Sequence, residues 1–453
     1  MESLFTALCA EGLTTLKIRY DFRTDKFRFT ASRDWDADID FSQYNKAFYV
    51  QSILTDDAFC LGTAQVRAMF EKHGMLAYFN KILDLVRQGK HFGVDILYFE
   101  KFNVRYICGI HNIALGLKNK SRAALSGATR RHGFDDDEMD VIIDVLNLSR
   151  AMSFKSVAAN IKFGGCKAAV HMDPLDMTNM EIMGFLAYAC DCIRHFTGPD
   201  MNLPKGMVTV MNEHFTSQYA GGEGSPLGDS AVPTAYGVYL AMKQAVRFRS
   251  GSESLDGMSI SIQGLGAVGY ATAEHLTKEK TKLFITDLRP EIVERFIKEH
   301  PGHDITPVPL DDILKVDADI LCPCAKGGIL GEQEIADIKF QYVFGPANNQ
   351  LRASSQDEEI RLAKLLDERG ILFQTEWWHN CAGALGASMD YLYGSDMTPS
   401  ELEKKVEEIL PVQTWKNLNL AKEQGITPTE CAYKSCQELV YNATAFPASV
   451  SKV

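Results

Sequence analysis

Three glycines, two acids and two lysines carry the chemistry this sequence offers. Gly264, Gly266 and Gly269 form a complete G-x-G-x-x-G. In such a loop the first glycine allows a tight turn, the second lets backbone amides approach a pyrophosphate, and the third lets the following helix pack close to the strand before it. Amide donors and the positive end of the helix then face the phosphates. Asp287 lies 23 residues after Gly264, where a carboxylate accepts hydrogen bonds from the adenosine ribose 2′-OH and repels a 2′-phosphate. This favours NAD over NADP, against which Arg289, two residues further on, would take a 2′-phosphate. Elsewhere, Lys155 and Lys167 flank Gly164-Gly165. Ammonium groups crowded at a partly buried turn repel each other and desolvation adds to that, so one of them has a lowered pKa. Such a lysine serves as acid and base near neutral pH. Taken alone, these residues fit two solvated surface lysines as well. Asp200 stands at the tip of a loop, Thr197-Gly198-Pro199-Asp200-Met201-Asn202.

The surrounding elements decide whether a glycine triplet is a surface loop or a nucleotide cradle. Met258, Ile260 and Ile262 alternate with Ser259, Ser261 and Gln263, the two-residue period of a strand. A helix over roughly Ala267 to Lys278 and a second strand, Leu283 to Ile285, supply the context that the fingerprint requires. Lys155 falls near the end of a helix that starts at Asp135, Asp136, Asp137 and Glu138, where the dipole favours acids, and runs to about Asn160. Its buried face is marked by Met139, Ile142, Ile143 and Leu146. Lys167 opens an apolar strand, Ala168 to Val170. A helix over Asn179 to Phe196 precedes the Asp200 loop, and glycine-rich Gly221 to Gly228 reads as a mobile hinge or domain edge.

Further strands are expected at Asp319–Leu321, Tyr342–Phe344 and Ile371–Gln374, with helices from Arg289 and Ala353 between them. That alternation predicts an α/β fold with a parallel, doubly wound sheet. Earlier in the chain, Phe79–Gln88 reads as helix, Val94–Phe99 and Val104–Ile110 as strands, and Leu115–Arg130 as loop. Two amphipathic helices, Pro399–Gln424 and Thr427–Tyr441, end the readable pattern. Residues 1–78, with a hairpin around Arg23-Thr24-Asp25, are expected to be an accessory extension. The domain reading is therefore 1–78 accessory, 79–228 catalytic and completed by 391–453, and 229–390 dinucleotide-binding.

Composition narrows the function classes. The chain has 453 residues, 46% of them hydrophobic and 23% charged, as in an ordinary globular protein with two or three domains. No apolar run approaches the roughly 18 residues that span a bilayer, and Glu2 stands where a secretion signal would be basic. A net charge of −12 argues against a nucleic-acid partner. Eleven cysteines without regular spacing suggest buried thiols in a reducing compartment, hence a cytoplasmic protein with no metal site.

From about residue 80 to 395 the sequence resembles the amino-acid dehydrogenases of the leucine, phenylalanine, valine and glutamate group, nearest the leucine and phenylalanine type. Seven motifs carry the resemblance, in order: Met152-Ser153-Phe154-Lys155, Gly164-Gly165-Cys166-Lys167, Thr197-Gly198-Pro199-Asp200, Pro233-Thr234-Ala235-Tyr236-Gly237-Val238, Gln263 to Gly269, Ala347-Asn348-Asn349-Gln350-Leu351, and Asn380-Cys381-Ala382-Gly383. The resemblance implies two domains around a cleft, an N-terminal catalytic and dimerisation domain and a C-terminal Rossmann-type domain, in a homo-oligomer. It implies reversible, NAD-dependent oxidative deamination of an L-amino acid to a 2-oxo acid and ammonia. Lys155 would hold the substrate α-carboxylate with Asn380 assisting, Lys167 would act on the attacking water and carbonyl oxygen, and Asp200 would exchange protons with the amine. Thr234 and Asn348 would position the nicotinamide, and Gly264, Gly266, Ala267, Val268, Gly269, Asp287, Leu288 and Ala325 would hold the rest of the cofactor. Two departures stand out: Cys166 and Ala382 occupy positions where the family has glycine.

Substrate follows from the same comparison. Glutamate-specific members carry a lysine before a Gly-Gly-x-Arg element and a serine after the start of the N-A-G-G helix; here Ser126 precedes Gly127-Ala128-Thr129-Arg130, and Ala387 replaces the serine. A glutamate carboxylate would be buried without a cation, which is costly, unless Lys120 or Arg122 folded back. Gly127, Ala384 and Ala387 would instead line a roomy apolar pocket, suited to a phenylalanine-like substrate ahead of a leucine-like one. Two rivals remain: an enzyme for an unusual polar or bulky amino acid, and a catalytically silent NAD-binding subunit.

Overall fold

The computed structural model describes residues 3–44, 55, 57–117, 121–172, 174–204 and 206–441. Two sheets organise them. In the later one, Ser259–Gln263 lies parallel to Lys282–Thr286 on one side and to Ile320–Pro323 on the other. Asp304–Pro307 extends the first side, and Tyr342–Val343 followed by Leu372–Phe373 extend the second, all in parallel. The chain order thus reverses at Ser259–Gln263, and a doubly wound sheet opens its crevice at the carboxyl ends beside such a reversal. Ile260, Ile262, Leu283, Ile285 and Ile320 are all buried, because helices cover both faces of a parallel sheet.

Among the described residues the earlier sheet has nine strands. From one edge it runs Phe59–Leu61, Lys26–Arg33, Thr15–Asp21, Gly93–Phe99, Val104–Ile110 and Gly164–His171 in antiparallel pairs. Residues 1–78, expected as an accessory extension, therefore supply three of its strands. The hairpin forms, and its first strand also pairs with Gly93–Phe99. The stretch Leu115–Arg130 is corrected too. It holds the strand Leu125–Ser126 and the start of Thr129–His132, both parallel to Gly164–His171. That register sets Arg130 opposite Ala169, two residues from Lys167. The helix expected over Asn179–Phe196 stops at Ile193, Arg194 turns with φ 58°, and His195–Phe196 becomes a short strand.

The helix Glu138–Ala158 is capped by Asp137, whose carboxylate accepts from Met139 N at 2.8 Å. Glu138 does not stay outside with Asp135–Asp137. It is buried, and its carboxylate accepts from Leu4 N at 2.8 Å, from the Tyr78 hydroxyl at 3.0 Å and from Ser3. The helix lies against Gly164–His171, so closely that a Cβ on Gly165 would stand 2.2 Å from Ser153 N. This contact fixes the helix end that carries Lys155 over the strand that carries Lys167.

An apolar cluster of Phe154, Phe163, Trp377, Leu402, Leu410 and Tyr433 joins the two halves through the C-terminal helices Pro399–Gln424 and Pro428–Tyr441. Gly221–Gly228, expected to be mobile, is anchored at both ends: Asp390 accepts from Gly221 N at 2.9 Å and from Leu227 N at 3.1 Å. Among the described residues no helix is long and apolar enough to cross a membrane.

Candidate active site

A cavity of about 350 Å³ opens between the two sheets. Gly127, Lys155 and Asp200 line it from the earlier half, and Thr234, Val268, Asn348, Asn380, Ala384 and Ala387 from the later one. Seven motifs separated by up to about 230 residues of sequence thus meet at or beside one space.

Lys167 is 5% exposed and lies just behind the cavity wall, with its ammonium donating to Asp200 Oδ2. Asp200 is held independently. Its backbone N donates to Thr129 O at 3.0 Å, and its Oδ1 accepts from Met201 N at 2.8 Å. Burial pushes Lys167 below the ordinary lysine value; Asp200 opposes that shift and Arg130 adds to it. Burial would raise Asp200, but Lys167 and Arg130 outweigh it and hold the carboxyl well below the usual range.

Lys155 is also lowered, first by burial, with Cys381 and Glu376 opposing. Its Nζ donates to Asn348 Oδ1 at 3.2 Å, and Asn380 Nδ2 donates to that same oxygen at 2.9 Å and to Pro346 O at 3.0 Å. Two donors, one of them charged, converge on one amide oxygen as they would on a carboxylate oxygen. Asn380 Oδ1 is buried and has no hydrogen-bond partner among the described residues.

The glycine loop is tightly packed at its end and open in its middle. A Cβ on Gly269 would stand 2.2 Å from Gly264 O, and one on Gly266 would meet nothing within 4 Å. Among the described residues no side chain caps the helix Ala267–Leu276, and the space beside Gly266 at its start is open, as an anion site requires. Ala325 packs beside Gly264. Asp287 ends its strand with Oδ2 accepting from Leu265 N at 2.8 Å and Oδ1 from Arg289 N at 2.9 Å. Leu288, beside it, is 82% exposed. These residues fit a dinucleotide.

The two departures are absorbed by packing. Strand alternation turns Cys166 away from Lys167 into the apolar cluster with Cys108 and Leu125. The methyl of Ala382 stands 2.8 Å from where a Cβ on Gly237 would be, so a glycine on the neighbouring helix makes room for it.

Three site residues escaped the sequence reading. Arg130 Nε donates to Asp200 Oδ2 at 2.9 Å, while its Nη1 donates to both oxygens of Asp144 at 3.1 Å. Asp144 precedes Lys155 by eleven residues, about three helical turns, and that spacing was the available signal. Glu376 is buried, accepts from Asn349 N at 2.7 Å, and is pushed up to about 7 by burial, with Glu359 adding to the effect.

The chain is similar to known amino-acid dehydrogenases. The profile for Glu/Leu/Phe/Val dehydrogenase, dimerisation domain, matches residues 117–217. Phenylalanine dehydrogenase of Lysinibacillus sphaericus is 34% identical over 349 residues, covering 74% of this chain and 84% of that one. Leucine dehydrogenase of Thermoactinomyces intermedius is 31% identical over 309 residues, 67% of this chain and 80% of the other. The crystal structure of L-tryptophan dehydrogenase from Nostoc punctiforme superposes with a TM-score of 0.66 at 27% identity, covering 80% of this chain and 100% of that one.

Proposed function

The chain belongs to the Glu/Leu/Phe/Val family of amino-acid dehydrogenases, and from that premise we propose that it reversibly deaminates an apolar or aromatic L-amino acid with NAD as the redox partner. The observation that carries the reading is the convergence of Lys155 and Asn380 on one oxygen, beside the Lys167–Asp200 pair. A substrate α-carboxylate would take the place of the Asn348 amide oxygen and gain a charge-assisted bond from Lys155. The orphaned Asn380 Oδ1 would accept from the substrate amine. Asp200, kept ionised by its two cations, would take the proton the amine releases. Lys167, whose neutral form burial favours, would accept a proton from the attacking water and pass it back to the carbonyl oxygen in the reverse direction. NAD, when bound, supplies the hydride acceptor. We assign its pyrophosphate to the Gly264–Gly269 loop, its ribose to Asp287, and its nicotinamide end to Thr234 and Asn348, with lobes divided near residues 228 and 390.

Asp287 supports NAD over NADP, because its carboxylate would repel a 2′-phosphate. Asp287→Ala should weaken NAD binding about tenfold, in line with a lost hydrogen bond to a charged group, and narrow the preference over NADP. Titration of both nucleotides by fluorescence checks this, with Asp287→Asn, which keeps an acceptor for Leu265 N, separating charge from loop support.

The side-chain end of the cavity supports an apolar substrate. Arg122 pairs with Asp191 at 2.6 Å rather than turning inward, and Lys120 lies outside the described residues. Met152, Phe196, Ala384 and Ala387 line the space, and Tyr391 backs Phe196 with rings stacked 4.7 Å apart. The relatives that are phenylalanine and tryptophan dehydrogenases agree with a bulky ring there. The test is kcat/KM for L-phenylalanine, L-tryptophan, L-leucine and L-glutamate on the wild type and on Ala384→Val. Aromatic substrates should lead and glutamate should be poorest. The added methyl groups should cost the aromatic substrates roughly 10–200-fold relative to leucine. A preference for glutamate would sink the substrate assignment.

A further inference from the structure

We propose that Arg130 and Asp144 form a positioning pair that locks the Asp200 carboxylate and sets the pH range in which Lys167 and Asp200 exchange protons. The proposal rests on the roles given above to Lys167 and Asp200.

The arrangement is specific to one oxygen. Asp200 Oδ2 accepts from both Lys167 and Arg130 Nε, whereas Oδ1 accepts from Met201 N. The loop backbone has its own tie to this strand, Asp200 N donating to Thr129 O. What the guanidinium adds is a fixed direction and a fixed charge for the side chain. A planar fork can hold two carboxylates at once, and here Nε takes Asp200 while Nη1 takes Asp144. The lysine ammonium has three donors but no rigid plane to fix the two carboxylates in direction.

The charges that face this group come from every element around it. Lys167 comes from the strand Gly164–His171, Arg130 from Thr129–His132, and Asp144 and Lys155 from the helix Glu138–Ala158. His132 stands 3.8 Å from Asp144 and pairs with Asp136 at 3.0 Å, carrying the row outward. Arg130 disfavours a proton on both Lys167 and Asp200, and Asp144 favours one on Lys167. The two members of the pair therefore pull the working pH in opposite directions. Opposite charges beside one lysine act with opposite signs, so the two substitutions should move the working pH apart.

The experiment is the pH dependence of kcat/KM for deamination in full-length Arg130→Gln, Arg130→Lys, Asp144→Asn and Asp200→Asn, with thermal melts alongside. In Arg130→Gln the limb along which activity rises with pH should move up by about one unit, the low end of the effect of a charge at this range. In Asp144→Asn it should move down. Arg130→Lys, which keeps the charge but not the bridge, should leave the limb near its wild-type position and lower kcat. Should Arg130→Gln fail to fold, the sign in Asp144→Asn and the rescue in Arg130→Lys decide the matter. Limbs that stay in place, or move together in one direction, while Asp200→Asn is inactive overturn the positioning role and leave the proposed function standing. Near-normal turnover in Asp200→Asn overturns the proposed function and this inference with it.

Discussion

Lys167→Met should lower kcat for deamination by about three orders of magnitude, within the 10²–10⁴-fold range of a positioned acid or base, while NAD affinity stays within about twofold of wild type. Methionine fills much of the lysine volume, so the buried strand position keeps its packing. Removing one partner of a buried ion pair ordinarily destabilises by about 3–5 kcal/mol, because the other charge is left uncompensated. Here the loss should be smaller, since Asp200 keeps Arg130 at 2.9 Å and the Met201 amide at 2.8 Å. The signature is thus a folded protein that binds cofactor and does not turn over. Steady-state NADH formation, nucleotide titration and a thermal melt read the three parts separately. Normal turnover in this variant would remove Lys167 from the chemistry.

The second large effect belongs to Lys155→Met, which should reduce kcat/KM for amino acids by about two to three orders of magnitude. This corresponds to the 2–5 kcal/mol typical of truncating one partner of a buried, hydrogen-bonded charge pair. Selection against amines that lack the carboxylate should weaken in parallel, because the lost group is the one that reads it. A pH signature follows from the signs. Lys155 must be protonated to hold a carboxylate, and its folded pKa is lowered. Its contribution is therefore present at lower pH and fades as pH rises through that depressed value. Lys167 must be deprotonated to accept a proton, and its lowered pKa brings that form in earlier. Wild-type kcat/KM should accordingly rise and then fall with pH, and the falling limb should flatten in Lys155→Met. A KM unchanged by the substitution would contradict the assignment.

The parts of the fold legible in the sequence were those with a strong local period. The strand Ser259–Gln263, its glycine turn and the helix after it announce themselves within about twenty residues. The helix Glu138–Ala158 does so through its capping acids and apolar face. The strands Leu125–Ser126 and Thr129–His132 are two and four residues long and are interrupted by Gly127-Ala128. Their pairing with Gly164–His171 lies some forty residues away, so no local pattern could mark them. Thr15–Asp21 joins the earlier sheet through Gly93–Phe99, a contact across about eighty residues, which is why the first 78 residues read as separate. Lys155, Lys167 and Asp200 were found through their motifs, each a short string with a chemical reason. Arg130, Asp144 and Glu376 were missed because single charged residues usually face solvent. Only the tertiary structure shows Glu376 buried and the half-buried Arg130 and Asp144 turned toward each other beside Asp200.

Equal yields of NADH, 2-oxo acid and ammonia would test the central claim most directly, measured with the purified protein, NAD and L-phenylalanine at alkaline pH. The account predicts that the three products appear together at the same rate and that all three vanish in Lys167→Met. Saturable NAD binding with none of the three products formed from any member of an L-amino-acid panel would contradict it, and would mark the chain as a silent nucleotide-binding subunit.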